Sequence, residues 1–179
     1  MNKQELRIKL KQIRLNIENR EEKNHEIAKN FHKLEIDFDT VLVYINSGTE
    51  VCTREIIEEL FKLSKKVYAP KCVSDSEMIF VRINNLKDLK KGKYGILEPL
   101  GGEVIKDFKN SICLVPGLGF TLSGDRIGYG KAYYDRFLRK NATISIALCY
   151  NEQIIDEIPT QSTDVSMDYI VSDLTVKRI

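Results

Sequence analysis

The chain has 179 residues, 42% of them hydrophobic and 30% charged, with a formal net charge of +2. That length and composition suit one globular domain spanning residues 1–179, with a core large enough to need no staples. So small a net charge gives no ground for nucleic acid or an anionic membrane as a partner, and any functional cation must be argued locally.

From Asn2 to about Arg20, Leu6, Leu10, Ile13 and Ile17 recur at helical spacing, which predicts an N-terminal amphipathic helix. Lys3, Arg7, Lys11 and Arg14 form a second stripe about one residue round from the first; such cations also commonly just flank an apolar face. A second helix is expected to turn Ile27, Ala28, Phe31 and Leu34 inward. The run "TVLVYI" (Thr40 to Ile45) predicts a strand buried on both faces, broken by "NSGTE". Thr53 is then the expected N-cap of a helix carrying Ile56, Ile57, Leu60 and Phe61, and "KVYAP" the next strand, closed by Pro70.

Met78 to Ile83 is a further strand, followed by the turn-rich "KKGKYGILEPLGG". "SICLVPG" and "TISIALCY" (Thr143 to Tyr150) are two more, and "DYIVSD" a short final one. Strands alternating with helices predict an α/β fold: a three-layer sandwich, its sheet mostly parallel, with helices on both faces. In such sheets ligands bind beyond the carboxyl ends of the strands, where "NSGTE" and "PGLGFTLSGDRIGYGK" both fall.

Four cysteines are widely spaced and there are only two histidines, so no zinc site is expected. Cys113 and Cys149 sit within apolar runs and read as buried small hydrophobes. The N-terminus lacks the apolar core of a signal peptide and no run approaches a membrane span, so the cytoplasm is the expected location.

The chemistry concentrates in "GDRIGYGKAYYDRF" (Gly124 to Phe137). Gly128 and Gly130 let backbone approach a ligand closely. A helix beginning near Gly130 points free N–H groups at the loop, and Arg126 and Lys131 add cations, which together make an anion site. Asp135, one turn beyond Lys131, suits a magnesium ion between carboxylate and phosphate. Tyr133 and Tyr134 can give one ring to the core and one to a planar ligand. The bland alternative stays open: the glycines shape a turn and Lys131–Asp135 is an exposed i,i+4 pair. Likewise Glu50, alone, reads as readily as a solvated acid flanking a helix.

The longer stretch "VPGLGFTLSGDRIGYGKAYYDRFL" (Val115 to Leu138) closely resembles the signature of the 5-formyltetrahydrofolate cyclo-ligase family. Weaker correspondences are "KQELR", "YINSGTEVCTREII", "YGILEP" and "STDVSMDYIVSD". Thr121 stands where the family usually has Asp, Cys52 replaces a common polar residue, and Thr163 precedes Asp164 where His is frequent. The resemblance implies a ligase that converts 5-formyltetrahydrofolate to 5,10-methenyltetrahydrofolate with ATP and magnesium; a monomer acting on small molecules is expected. By position it implies that Lys3, Arg7 and the loop from Arg126 to Tyr134 contact ATP, with Arg126 and Lys131 catalytic. Gly128, Gly130, Tyr133 and Tyr134 belong to that nucleotide loop. It assigns Ile45, Glu50, Tyr129 and Tyr133 to the folate pocket and Asp135 and Asp164 to the metal. The same loop could serve a sugar-phosphate isomerase without ATP, or a non-catalytic nucleotide or folate sensor; a requirement for ATP and magnesium, and turnover itself, separate these from a cyclo-ligase.

Overall fold

A computed structural model of the chain describes residues 1–92 and 95–179, so Tyr94 of "YGILEP" lies outside the described residues. Helix α1 (Lys3–Leu15) opens on a capping box: Asn2 Oδ1 accepts from the amides of Gln4 and Glu5, and Glu5 returns a bond to the Asn2 amide. It stops short of the expected Arg20. Arg20 instead donates to the carbonyl of Arg14, one of those a helix end leaves without a partner, and Asn19 takes a left-handed φ of 52° before α2 (Arg20–His32) begins. Ile17 remains in the core, but from the connection rather than from the helix.

Strands β1 (Thr40–Leu42) and β2 (Lys66–Cys72) run parallel, joined by α3 (Arg54–Lys62). β1 is shorter than its apolar run. Thr53 occupies the N-cap position of α3 without capping it, because its hydroxyl donates to the Tyr44 carbonyl at 2.7 Å. β2 does not end at Pro70. Tyr68 directs its carbonyl to the Val43 amide on the β1 side, so Pro70, two residues on, turns its nitrogen the same way, past the end of β1 where no bond is lost.

Strand β3 (Met78–Ile83) pairs antiparallel with β2, and β4 (Leu89–Lys91) and β5 (Leu97–Pro99) make a separate antiparallel pair. After β6 (Ser111–Val115) comes a small hairpin of β7 (Gly119–Phe120) and β8 (Arg126–Ile127), then α4 (Tyr133–Lys140). β9 (Ile144–Leu148), β10 (Tyr169–Val171) and β11 (Val176–Arg178) complete the chain. The main sheet has seven strands in the order β11-β10-β9-β6-β1-β2-β3, parallel except at its two edges. "DYIVSD" is therefore not the last strand: β11 follows it, exposed along its length.

Helices α2 and α3 pack on one face with Val41, Val67, Ile112 and Leu148, while Phe137 of α4 joins Leu42, Cys113, Val115 and Ala147 on the other. Burial pushes the thiols of Cys113 and Cys149 well above their usual pKa. No helix among the described residues is long and apolar enough to cross a membrane. From β1 the chain goes by α3 to β2 on one side, whereas from β6 it goes by α4 to β9 on the other. The crevice between the carboxyl ends of β1 and β6 is thus a topological switch point.

Helix α1 lies across that end, its Leu6 and Leu10 packed with Leu118, Ile127 and Ile158. Leu10 is 0% exposed, so Leu10→Ala is expected to cost about 3 kcal/mol. A thermal melt should show the midpoint falling by roughly 6–12 °C. An unchanged midpoint would mean that α1 is not anchored there.

Candidate active site

A cavity of about 760 Å³ opens at this switch point, under α1 and between the loops that follow β1 and β6. Every residue that the family resemblance assigns to the site reaches its wall: Lys3 and Arg7 from α1, Ile45 and Glu50 from the first loop, Arg126 to Asp135 from the second, and Asp164 from the segment before β10. The fold brings them together from four distant parts of the chain.

The loop after β1 is closed on itself. Gly48 has φ +56°, a conformation that favours glycine, and lets the chain turn so that Glu50 Oε2 accepts from the Ser47 amide at 2.7 Å. The loop after β6 is held from below by Gln153, 1% exposed, which donates to the carbonyls of Gly117 and Leu118 at 3.0 Å. Thr121 takes the hairpin position where a carboxylate was expected. Its hydroxyl accepts from the Asp125 amide at 3.0 Å, so the turn is closed without a carboxylate there.

Arg126, in β8, is 8% exposed and faces the cavity wall. Its Nη2 donates to Asp135 Oδ2 at 2.7 Å and its Nη1 to the Pro116 carbonyl at 3.3 Å, while Nε is buried with no protein acceptor. Asp135 also accepts from the Val165 amide at 3.2 Å, so both its oxygens are engaged. Lys131 and Asp135 are not a helical pair. Helix α4 starts at Tyr133, not near Gly130, because Ala132 sits in the left-handed region (φ 51°) and Gly130 at φ +100° turns the chain ahead of it. Lys131 is left exposed on the loop, in no ion pair among the described residues.

Helix α1 closes the other side. Arg7 Nε donates to the Gly128 carbonyl at 2.9 Å, clasping the glycine loop. Lys3 pairs with Asp164 at 2.5 Å. Burial works against the Asp164 carboxylate, yet the Lys3 ammonium and the Gln161 amide outweigh it and hold its pKa below the usual range. Of the two adjacent tyrosines, Tyr134 leans on Phe80 in the core, with the Arg126 guanidinium 5.9 Å from its ring centre. Tyr133 lies further out, its hydroxyl donating to the Ser74 carbonyl. Tyr129 spans the cavity: its hydroxyl donates to Glu50 Oε1 at 2.5 Å, and burial, then the neighbouring carboxylate, pushes its pKa well up.

Arg14 was seen in the sequence only as part of a basic stripe, yet it too lines the cavity, 6% exposed. Its spacing from Lys3 and Arg7, eleven and seven residues, was the available signal, since each falls near the same helix face. Lys11, in the same stripe, stays exposed. Glu98 of β5 also lines the wall, accepting from the Cys72 amide at 3.3 Å.

Residues 1–173 match the profile of the 5-formyltetrahydrofolate cyclo-ligase family. The chain is 35% identical over 147 residues to the 5-formyltetrahydrofolate cyclo-ligase of Saccharomyces cerevisiae, an alignment covering 68% of this chain and 69% of the yeast protein. It is 25% identical over 176 residues to that of Haemophilus influenzae, covering 92% and 94% of the two chains. The solved structure of a 5,10-methenyltetrahydrofolate synthetase from Aquifex aeolicus superposes with a TM-score of 0.86 at 29% identity, over 99% of this chain and 93% of the other.

Proposed function

Because the chain belongs to the 5-formyltetrahydrofolate cyclo-ligase family, we propose that it closes 5-formyltetrahydrofolate to 5,10-methenyltetrahydrofolate in this cavity, consuming ATP and releasing ADP and phosphate. One observation carries the reading: a single cavity is lined both by a cation-bearing glycine loop and by the Glu50 carboxylate. A triphosphate needs the first and the donor edge of a pterin needs the second. Lys131 precedes the helix rather than pairing with Asp135 along it, which supports a place for its ammonium at the phosphates.

The formyl oxygen is a poor leaving group and the amide carbon a poor electrophile. Attack of that oxygen on the γ-phosphorus of ATP breaks the bond to ADP and gives an iminium-like phosphate ester. N10 then attacks the formyl carbon and closes the five-membered ring; phosphate leaves with the C–O bond electrons, and N10 gives up its proton. The protein has to place the groups and balance charge, as in other phosphoryl transfers. Lys131 supplies a compact charge to the phosphates, and Arg126 a guanidinium preset by Asp135. Arg7 and Lys3 bring α1 down on the nucleotide, while Ile45, Glu50, Tyr129 and Tyr133 line the folate side.

Asp164 and Asp135 offer hard oxygen donors of the kind that would hold magnesium, which would supply counter-charge for the phosphates. Asp164 is the readier of the two, since Asp135 has both oxygens engaged. For Asp164 to serve, the Lys3 ammonium must turn from it to a phosphate oxygen, the contact assigned to it by position.

The test is the near-ultraviolet absorbance of the methenyl product after mixing the protein with 5-formyltetrahydrofolate and magnesium, with and without ATP. Product only with ATP is expected; none in either case, or as much without ATP, overturns the reading. Lys131→Ala should lower ATP-dependent turnover by at least about tenfold, or roughly 1.4 kcal/mol on the barrier. Unchanged turnover removes Lys131 from the chemistry.

A further inference from the structure

Arg14 lies at the joint between the two halves of the cavity. It is 6% exposed, in the last turn of α1, and its donors fan out to three different segments. Nε donates to Thr49 Oγ1 at 2.9 Å in the loop after β1, and Nη1 reaches the Gly117 carbonyl at 3.3 Å in the loop after β6. Nη1 also donates to the hydroxyl oxygen of Tyr129 at 2.5 Å, and the guanidinium carbon sits 5.3 Å from that ring's centre.

The consequence of the bond to Tyr129 follows from donor and acceptor counts. A guanidinium can only donate, and a phenol has a single proton. Once Tyr129 accepts from Arg14, its own hydrogen must point away, and the acceptor it meets is Glu50 Oε1 at 2.5 Å. The other Glu50 oxygen is held by the Ser47 amide at 2.7 Å. The carboxylate, which lines the cavity, is therefore fixed at both oxygens. Behind it, Arg20 braces the same corner, donating to the carbonyls of Arg14 and, at 2.9 Å, Thr49. Tyr129 itself lies between Gly128, whose carbonyl Arg7 holds, and Gly130.

We infer that Arg14 is a positioning residue for Glu50: acting through Tyr129, it sets the direction of the phenol's hydrogen bond and holds the carboxylate in register with the folate side of the cavity. The inference rests on the folate reading given above. It places Arg14 outside the chemistry, touching neither phosphate nor the formyl group, so its loss acts on folate affinity rather than on phosphoryl transfer.

The test is a double-mutant cycle of Arg14→Met and Tyr129→Phe, read as steady-state kinetics in each substrate with a thermal melt of every variant. Each single variant should raise KM for 5-formyltetrahydrofolate about tenfold, the size of a lost charge-assisted hydrogen bond, and Arg14→Met should do so with KM for ATP and kcat within about twofold of wild type. The double variant should be no worse than the weaker-binding single, because both changes cut one chain of bonds. Should Arg14→Met fail to fold, Arg14→Lys takes its place, keeping the charge but losing the planar fork. Effects that multiply, a KM for ATP that rises with that for folate, or wild-type kinetics in either single variant would overturn the inference while leaving the folate reading intact. A wild-type protein that forms no methenyl product overturns both.

Discussion

Asp135→Ala is expected to lower stability by about 3–5 kcal/mol, because it removes one partner of a buried ion pair and leaves the other charged. The side chains of Arg126 and Asp135 are 5% and 13% exposed, with 2.7 Å between Nη2 and Oδ2. Arg126 has little else to hold it: one bond to the Pro116 carbonyl and an Nε with no protein acceptor. Asp135 also anchors the Val165 amide, so its loss frees the segment that carries Asp164. Turnover should fall by roughly a hundredfold, the scale on which loss of a preset donor to a developing charge is felt. A thermal melt should show a midpoint lower by roughly 10 °C. Arg126→Met with Asp135→Ala separates the two effects, since removing both charges relieves the uncompensated one. The double variant should recover much of the stability and none of the turnover. If it recovers turnover as well, Arg126 acts only as a strut and the phosphate role assigned to it fails.

That pair also shows where the sequence stops being legible. Its members are nine residues apart, a spacing with no helical or strand meaning, and they meet only because β8 and α4 are joined through a turn at Gly130 and Ala132. The i,i+4 spacing of Lys131 and Asp135 suggested a helical pair instead, and the late start of α4 cancelled it. The central parallel strands were readable because burial on both faces demands unbroken apolar runs, as in β6 and β9. β11 had no such signal: Val176, Lys177 and Arg178 are all exposed, and backbone pairing with β10 alone makes them a strand. Pro70 read as a stop because proline lacks a donor, yet whether that matters depends on how far the neighbouring strand runs, which is a tertiary fact. Arg14 was hidden for a related reason. Its place in a basic stripe was visible, but its burial depends on the loops after β1 and β6 closing over the end of α1.

The Glu50 carboxylate admits a sharper experiment, because the substitution that removes its charge hardly changes its shape. In the wild type both oxygens accept, Oε1 from Tyr129 and Oε2 from the Ser47 amide. Glutamine offers one acceptor oxygen and a donor nitrogen; with its oxygen kept on the Ser47 amide, its nitrogen faces the Tyr129 hydroxyl, which must give up its donation to residue 50 to accept it. A pterin edge that presents N–H groups meets the same mismatch. Glu50→Gln should therefore weaken binding of 5-formyltetrahydrofolate by at least about tenfold, in the range of one to two charge-assisted hydrogen bonds. Nucleotide affinity should stay within about twofold, since the residues assigned to the phosphates lie on α1 and the loop after β6, and among the described residues Glu50 is hydrogen-bonded to that loop through Tyr129. Titration calorimetry with each ligand separately reads the two affinities. Equal weakening of both would mean that Glu50 supports the cavity as a whole, and the folate would have to be placed against a different acceptor. A change confined to folate leaves the charge on Glu50 as the feature that distinguishes the two halves of the site.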